Sequence, residues 1–274
     1  MTLPQVPDSF YWTHEAWGAA LKCRPLEGAA RHLFTTRQLE LPSPGCWDRL
    51  APAVGVAPDR FVTLNQVHGC RLVQVRRGID AASLAALQTS RPDADGLLSD
   101  DPSIALVVRA ADCVPLLVAD TRLGVVAAVH AGWRGTAARV ATAAIEALAR
   151  EFGSRPADLV AAIGPAIGPC CYEVGSDVVD AFAAAGHERY LIERWFLSTP
   201  RAGAPLGSHA DRRLRLDVAG ANRDQLILAG VPEDQIFVAG LCTAMHLDVL
   251  TSYRAERERA GRIAGVIRAS VVRP

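Results

Sequence analysis

Residues 107–136 read VVRAADCVPLLVADTRLGVVAAVHAGWRGT, and this stretch decides the predicted fold. Three short apolar runs in or beside it are rich in β-branched residues and bounded by Gly, Pro or Asp, which is typical of buried strands. The runs are residues 104–108, 114–119 and 124–129. Cys113 falls at the interruption between the first two runs, and His130 falls where the third run stops before a predicted helix. Side chains at strand ends lie at the rim of a sheet, where functional groups are often placed.

A segment further upstream, LNQVHGC at residues 64–70, places a second histidine, His68, beside a glycine. Two imidazoles and one thiolate could make a three-ligand metal site with an open fourth position. The spacing is not that of a compact metal motif, because Cys113 lies 45 residues after His68 and His130 a further 17 residues on. Spacing alone favours an alternative in which the histidines are capped strand-end residues and Cys113 is a buried apolar filler.

Outside this block, short strand patterns alternate with helical patterns along the chain. Predicted strands cover residues 32–36, 61–67, 71–75, 95–99, 159–163, 236–239 and 262–268, and predicted helices cover residues 136–152, 176–185 and 217–229, with a helical turn at 81–87. This mixed order predicts an α/β (α+β) fold with a mixed sheet. Residues 1–30 are predicted to be an irregular segment with one short helix near 14–21. Residues 200–213, rich in Gly, Pro and Ser, are predicted to be mobile.

The charge balance excludes several classes of partner. Lys and Arg number 29 and Asp and Glu also number 29, so no basic surplus favours nucleic acid or an anionic membrane surface. Lys22 is the sole lysine, and no glycine-rich loop precedes it, which excludes a P-loop. No signal-peptide pattern and no apolar run of about 18 residues is visible. The seven cysteines are odd in number and irregularly spaced, which favours a reducing cytoplasm over a disulfide framework.

Five motifs in this order together resemble one widespread family. They are NQVHG, ADCVPLL, VHAGWRGT, IGPAIGPCCYEVG and the late CT…SYR…GR. The family is described in turn as multicopper polyphenol oxidase, peptidoglycan editing factor and zinc-dependent purine nucleoside phosphorylase, and it includes the laccase-domain-containing protein of animal macrophages. The resemblance spans roughly residues 30–270. It implies a single catalytic domain over residues 31–274, with layered mixed β-sheets and outer helices. It also implies that His68, Cys113 and His130 are the metal ligands.

Other candidate site residues have two interpretations each. Asp112 is either a catalytic or supporting carboxylate beside the metal, or a turn residue. Arg37 and Arg134 are candidates for holding phosphate or ribose, because arginine forks onto oxyanions, but either could form a structural salt bridge. Trp133 could stack on a purine base or cover the core. Cys171 lines up with a family cysteine near the site. It is either part of the wall of the substrate-binding site or a packing residue.

One segment departs from the family pattern. The relatives follow FTTR with a Gly-Gly-Val-Ser turn, whereas this chain continues as QLELPSPG at residues 38–45. The FTTR segment itself is intact, and Arg37 is therefore predicted to line the substrate pocket despite the altered loop.

The resemblance implies phosphorolysis of adenosine, inosine, guanosine and S-methyl-5'-thioadenosine by a zinc enzyme, with adenosine deamination as a side activity. The implied partners are a purine nucleoside and phosphate, with no nucleic acid and no membrane, and the oligomeric state stays open. Copper is a less favoured metal, because multicopper centres use many imidazoles and this chain has seven His and no His-x-His pair. One alternative is a cysteine hydrolase of peptidoglycan precursors, with Cys113 attacking and His130 as base. Another is a binding protein with a structural zinc, although no fourth ligand is visible.

Overall fold

The structure of the protein, a computed structural model, describes residues 2–200 and 212–270. The strands are β1 (Phe10–Glu15), β2 (Gly18–Cys23), β3 (Ala30–Thr35), β4 (Phe61–Val62), β5 (Leu72–Val75), β6 (Gly96–Ser99), β7 (Ala105–Ala110), β8 (Val114–Asp120), β9 (Val126–Ala131), β10 (Leu159–Ile163), β11 (Glu173–Val174), β12 (Phe196–Pro200), β13 (Arg212–Leu216), β14 (Ile236–Val238) and β15 (Ile263–Ala269). The helices are α1 (Arg24–Glu27), α2 (Cys46–Val54), α3 (Ala81–Ser90), α4 (Trp133–Ala137), α5 (Val140–Phe152), α6 (Ser176–Ala184), α7 (Arg189–Trp195), α8 (Val218–Leu228) and α9 (Tyr253–Glu256).

Two six-stranded sheets form the centre of the molecule. The first has the order β1-β2-β3-β15-β7-β4 and the second β14-β10-β8-β9-β6-β5, while β11, β13 and β12 make a small third sheet. Most neighbours are antiparallel, but β4 runs parallel to β7, β5 to β6 and β14 to β10. The mixed α/β prediction is confirmed. The three apolar runs of the central stretch are β7, β8 and β9.

The sheets are stacked, and both faces of each are covered. In β8, Leu116 and Val118 pack with the residues of α5 and α8, whereas Leu117 and Ala119 pack against the first sheet. The outer face of the first sheet is covered by α2. Strands buried on both faces read as continuous apolar runs rather than as alternating patterns. This explains why β8 and β9 are buried at every residue.

The predicted helix over residues 136–152 is divided in the structure. α4 ends at Ala137 and α5 begins at Val140, and between them Arg139 has a φ of 59°. A residue in the left-handed region cannot continue a right-handed helix, so the chain changes direction there. The predicted helix at 217–229 is α8, and its N-terminus is capped by Asp217, which accepts from the Gly220 N–H. The predicted helix at 176–185 is α6, and its N-cap is Gly175.

The N-terminal prediction is wrong. Residues 2–9 are irregular, but β1 and β2 form an antiparallel hairpin over residues 10–23, where the short helix near residues 14–21 was expected. β2 pairs with β3 and thereby extends the first sheet. The aromatic run of β1, FYWTHE, suits a pleated and half-buried surface better than a helix. A further difference is that only Phe61–Val62 of the predicted strand 61–67 forms a strand, with an isolated bridge from Asn65 to Asp93 beyond it.

The segment predicted to be mobile, residues 200–213, falls mostly outside the described residues. Where the structure describes the chain, none of its helices has the length and apolar character needed to cross a membrane.

Candidate metal centre and its cavity

The structure brings together the three side chains that the sequence separates by tens of residues. The ligand atoms of His68, Cys113 and His130 lie within 4.8 Å of one another. The two imidazole rings have centroids 4.9 Å apart and meet edge to face at 78°. His68 is exposed, Cys113 is half-buried and His130 is buried, so the cluster opens on one side to solvent. We call these three residues the His-Cys-His cluster.

Strand register explains the convergence. β8 and β9 are antiparallel, and Pro115 pairs with His130, so Cys113 lies beside the end of β9. β6 is the other neighbour of β9, and it starts directly after Asp95. The His130 N–H donates to the Asp95 carbonyl at 2.7 Å, which extends that ladder by one residue. Three strand ends therefore meet at one edge of the second sheet.

Asp95 is the carboxylate that organises the cluster. One of its oxygens accepts from His130 Nδ1 at 2.9 Å and from the His68 backbone N–H at 2.9 Å, and the other accepts from the Gly69 N–H at 2.6 Å. Its side chain is fully buried. Burial raises the pKa of Asp95, but the hydrogen bonds from His130 and Gly69 outweigh it and lower the pKa overall. With Nδ1 held by a carboxylate, His130 has Nε2 left to bind a metal, an arrangement common in metal-binding histidines.

The thiol and the buried imidazole perturb one another. Burial raises the pKa of Cys113, but hydrogen bonds to His130 and His68 together with their charge bring it down to about 6. Burial lowers the pKa of His130, but bonds to Asp95 and Cys113 raise it to about 9. Both shifts favour a thiolate at Cys113, the form that binds metals and attacks electrophiles.

The backbone around the cluster is strained at two non-glycine residues. His68 has a φ of 62° and Asp112 a φ of 87°, both in the left-handed region. Asp112 is anchored there by Thr243 Oγ1 and by the Arg254 N–H, which donate to its two carboxylate oxygens at 2.6 Å each. The two interpretations of Asp112 are thus compatible, because it is a turn residue whose carboxylate also lines the cavity. Strain of this kind concentrates at functional sites.

Gly132 is required by close packing. A Cβ at this position would lie 2.8 Å from Cys113 Sγ and 2.9 Å from His68 Cδ2. Real Cβ atoms do not approach other atoms so closely, so any side chain here would displace two members of the cluster.

The donor set fits a resident metal ion. The cluster offers one thiolate and two imidazoles, the ligands that Zn²⁺ and copper both accept, and a hydrogen-bonded carboxylate fixes one of the rings. The residues present could therefore hold a metal through His68, Cys113 and His130.

An open cavity of about 790 Å³ leads to the cluster. Among the described residues, five arginines line it, and Asp112 is the one carboxylate of that lining. The arginines are Arg109, Arg134, Arg254, Arg257 and Arg262. Within residues 2–200 and 212–270, none of the five forms an ion pair with a carboxylate. This part of the chain thus gives the cavity an excess of positive charge suited to an anionic ligand.

Aromatic side chains form another part of the cavity wall. Trp133, Tyr172 and Tyr253 line it. Trp133 also packs against the core on the helical side of the second sheet, and the Arg134 guanidinium lies 4.1 Å from the centroid of its ring. The structure therefore places both Trp133 and Arg134 at the cavity, in a cation–π pair.

Two predicted site residues lie elsewhere. Arg37, predicted to line the pocket, is not among the lining residues, because its guanidinium binds the Leu247 carbonyl and forms an ion pair with Glu256. β3 ends before Arg37, and the Arg37 N–H bonds to the Val249 carbonyl, which directs the side chain to the C-terminal loop. Cys171 is not among the lining residues, and its thiol lies with Cys170 and Cys242. The divergent segment 38–45 does reach the cavity, through Leu41 and Pro42.

Several residues that the structure places at the site have no role in the sequence-based prediction. Asp95 was only the start of a predicted strand, and no spacing connects it to His130. Arg254 and Arg262 belong to the quoted SYR…GR motif, which marks the family but does not indicate what either arginine does. Arg109 lies inside the central stretch, but its apolar neighbours mark a strand and say nothing of a cavity.

Comparison with known proteins identifies the family of the chain. The sequence model of the family described as multi-copper polyphenol oxidoreductase laccase matches residues 46–270, and the chain belongs to that family. A Deinococcus radiodurans protein named purine nucleoside phosphorylase is 37% identical over 219 residues, which cover 80% of this chain and 74% of the relative. The purine nucleoside phosphorylase YlmD of Geobacillus stearothermophilus is 33% identical, covering 80% of this chain and 76% of the relative. A protein named adenosine deaminase RL5, from an unknown prokaryote, is 33% identical over 65% of this chain and 63% of its own length.

Solved structures share the fold. The crystal structure of the hypothetical protein YfiH from Bacillus licheniformis superposes with a TM-score of 0.79 at 27% identity, covering 94% of this chain and 99% of that one. The crystal structure of YlmD from Geobacillus stearothermophilus gives a TM-score of 0.77 at 30% identity, covering 97% of this chain and all of that one. Among the sequence relatives, two are named purine nucleoside phosphorylase and one is named adenosine deaminase, so the relatives carry the names of enzymes.

Proposed function

We propose that this protein is a zinc-dependent purine nucleoside phosphorylase. Its proposed substrates are phosphate and a purine nucleoside from among adenosine, inosine, guanosine and S-methyl-5'-thioadenosine, with adenosine deamination as a side activity. The observation that carries the proposal is the position of the His-Cys-His cluster at a cavity lined by arginines and aromatic rings. The names of the relatives supply the substrate class.

A zinc ion held by His68, Cys113 and His130 would supply a Lewis acid and polarise a bound oxygen. Zinc is proposed over copper because the chain has seven histidines and lacks the His-x-His pairs of multicopper centres. Asp95 would fix the ring of His130 and the backbone of His68 through the hydrogen bonds described above. Asp112 has both oxygens engaged, so its proposed part is to position the turn that carries Cys113.

The arginines would bind the phosphate. Phosphorolysis needs a phosphate oxygen aimed at the anomeric carbon while the bond to the purine breaks, and guanidinium groups bind phosphate oxygens in fixed directions. Arg109 is half-buried, and burial together with the nearby charges of Arg91 and Arg262 lowers its pKa. Like charges held this close are relieved by a bound anion.

The aromatic residues would bind the nucleoside. A purine has two flat faces, and Trp133 and the cavity tyrosines offer rings for stacking. Burial and the charge of Cys113 raise the pKa of Tyr172, so its hydroxyl keeps its proton and can donate to a ligand oxygen.

Two measurements on the purified protein test the proposal together. Metal analysis should find about one zinc per His-Cys-His cluster, and a nucleoside-plus-phosphate assay should release free purine base. Copper in place of zinc, or base release that does not depend on phosphate, would contradict the proposal.

Arg109→Met tests the phosphate site directly. Methionine keeps much of the apolar stem and removes the guanidinium, so the Michaelis constant for phosphate should rise roughly tenfold or more, the value of a hydrogen bond to a charged group. The constant for nucleoside should change much less. Arg37→Ala is the matched control, because Arg37 is an exposed arginine paired with Glu256 and should leave both constants unchanged.

A second candidate function is a cysteine hydrolase that acts in peptidoglycan precursor editing. The lowered pKa of Cys113 and the raised pKa of His130 support it, because a thiolate beside an imidazolium is the usual pair in such enzymes. A metal chelator separates the two functions: it should abolish the zinc activity and leave a nucleophilic thiol working. Alkylation of Cys113 should inactivate the cysteine hydrolase directly. It should inactivate the zinc enzyme only after the metal is removed, since a metal-bound thiolate is shielded.

We also propose a cytoplasmic location and small-molecule partners only, with no nucleic acid and no membrane. All seven cysteines are free thiols, in keeping with a reducing compartment. The domain division, one catalytic domain from residue 31 onward, stays a prediction.

A further inference from the structure

A second cluster of metal-ligating side chains lies outside the cavity lining, and it consists only of thiols. The sulfur atoms of Cys170, Cys171 and Cys242 lie within 4.8 Å of one another. Cys170 Sγ and Cys171 Sγ are 3.6 Å apart, well beyond the bond length of about 2.05 Å in a disulfide. No histidine or carboxylate of the described residues belongs to this group. We call these three residues the thiol cluster.

The backbone builds the thiol cluster from two segments. Ala166 and Cys242 form a parallel bridge, which holds the two segments side by side. The chain then turns at Gly168, whose carbonyl accepts from the Cys171 N–H at 3.0 Å. The Gly168 N–H donates to Cys242 Sγ at 3.3 Å, so a backbone dipole points at one of the sulfurs. Such a bond stabilises negative charge on sulfur.

The surroundings leave the thiol cluster open to an entering ion, and a nearby guanidinium offsets part of the negative charge of its thiolates. Cys170 is exposed, Cys171 is half-buried and Cys242 is buried, so the thiol cluster has one open side and a fixed floor. The Arg215 guanidinium donates to the Cys170 carbonyl at 2.8 Å, which places a positive charge beside the sulfurs.

We propose that the thiol cluster is a second metal site that takes a thiophilic ion, and that Cu(I) is the ion it fits best. Thiolate ligands select Cu(I) and zinc among the common ions. Zinc in a structural site takes four protein ligands, whereas three sulfurs are a full set for monovalent copper. Binding releases one proton from each thiol that coordinates and transfers no electron.

The thiol cluster is also connected to the cavity by the backbone. Thr243, next to Cys242, donates to Asp112, and the Ile167 N–H donates to the Asp112 carbonyl at 2.9 Å. Tyr172, next to Cys171, lines the cavity. An ion at the thiol cluster would therefore hold two segments that contact the turn before Cys113.

The test is titration with Cu(I) under reducing, oxygen-free conditions in a His68→Ala/Cys113→Ser background, which removes two ligands of the other site. We expect this protein to retain about one equivalent of Cu(I), with a thiolate-to-copper charge-transfer absorption. Cys170→Ser and Cys171→Ser, each in that background, should weaken binding at least tenfold. Cys70→Ser is the matched control, because Cys70 is an exposed thiol outside the thiol cluster and its loss should leave the equivalent in place.

Alkylation read by mass spectrometry gives a second measurement on the same protein. Bound copper should protect Cys170, Cys171 and Cys242 while Cys70 still reacts. The second site would be overturned if the His68→Ala/Cys113→Ser protein retained no Cu(I). It would also be overturned if Cys170→Ser and Cys171→Ser left Cu(I) binding unchanged. Zn²⁺ binding that is tighter than Cu(I) in a parallel titration would overturn the assignment to copper.

Discussion

Two histidines, one in each six-stranded sheet, are equally buried, but their pKa values are shifted in opposite directions. His32 in β3 and His130 in β9 are each 3% exposed. Burial dominates at His32 and lowers its pKa from 6.5 to about 4, whereas Asp95 and Cys113 overcome burial at His130 and raise its pKa to about 9. The difference lies in the neighbours, because the ring of His32 accepts from a backbone N–H, whereas the ring of His130 faces a carboxylate.

The hydrogen bonds make the contrast concrete. His32 Nε2 accepts from the Cys23 N–H at 2.8 Å, which requires a neutral ring. His130 Nδ1 lies 2.9 Å from a buried carboxylate, which tolerates either a neutral ring bound to metal or a protonated one. A histidine in a strand thus becomes a candidate ligand because of what stands opposite it in the next strand, and burial alone does not decide between the two.

The largest effect is expected from His68→Ala. Loss of one of three ligands should remove zinc and lower nucleoside phosphorolysis by more than about 100-fold, since even the loss of a residue that only supports a ligand costs roughly 10- to 100-fold. Metal content and base release measure it, and chelated wild-type protein should regain activity when zinc returns. A His68→Ala protein that stays active without metal, and is inactivated by alkylation of Cys113, would replace the zinc mechanism with the cysteine hydrolase.

Asp95→Asn should have the next largest effect. The amide keeps the size of the side chain but removes the charge that orients His130, so zinc affinity should fall roughly 10- to 100-fold. Competition with a zinc chelator measures this affinity. Unchanged zinc affinity would mean that the Asp95 carboxylate is not what makes His130, unlike His32, a metal ligand.

The pH dependence of stability tests the other side of the comparison. His32 binds its proton in the unfolded state near pH 6.5 but only near pH 4 when folded, so stability is present above the first value and is lost as pH falls towards the second. At about pH 5 this loss amounts to about 2 kcal/mol. His32→Gln has no titrating ring and keeps an acceptor for the Cys23 N–H, so its unfolding free energy should depend less on pH in that range. Parallel pH profiles for the two proteins would refute the assignment.

The smallest effect is expected from Gly132→Ala. The added methyl group would press on Cys113 and His68, and overpacking of this kind costs about 1–3 kcal/mol, so zinc affinity should fall about tenfold. Gly28→Ala is the matched control, because a Cβ at Gly28 would meet no atom within 4 Å. Equal zinc affinity in the two variants would show that the cluster has more room than the structure indicates.

Much of the fold follows from local sequence. β8, β10 and α8 were predicted to within one residue at each end and β9 to within two, because apolar β-branched runs and amphipathic periods are local signals bounded by Gly, Pro and Asp. The N-terminal hairpin was missed, since β1 and β2 are stabilised by pairing with each other and with β3. The split between α4 and α5 was also missed, because it rests on the left-handed conformation of Arg139, a residue that carries no sequence signal for it.

The sequence by itself determined the mixed α/β class, the absence of a basic surplus, and the family motifs that single out His68, Cys113 and His130. Only the tertiary structure decided that these side chains meet, that Asp95 supports them, that Arg37 turns away to Glu256 and that five arginines surround the cavity. The physical reason is that helices and strands are specified by neighbours a few residues apart. A site is specified by strand register and loop direction, which join residues tens to more than a hundred positions apart and leave no periodic trace in the chain.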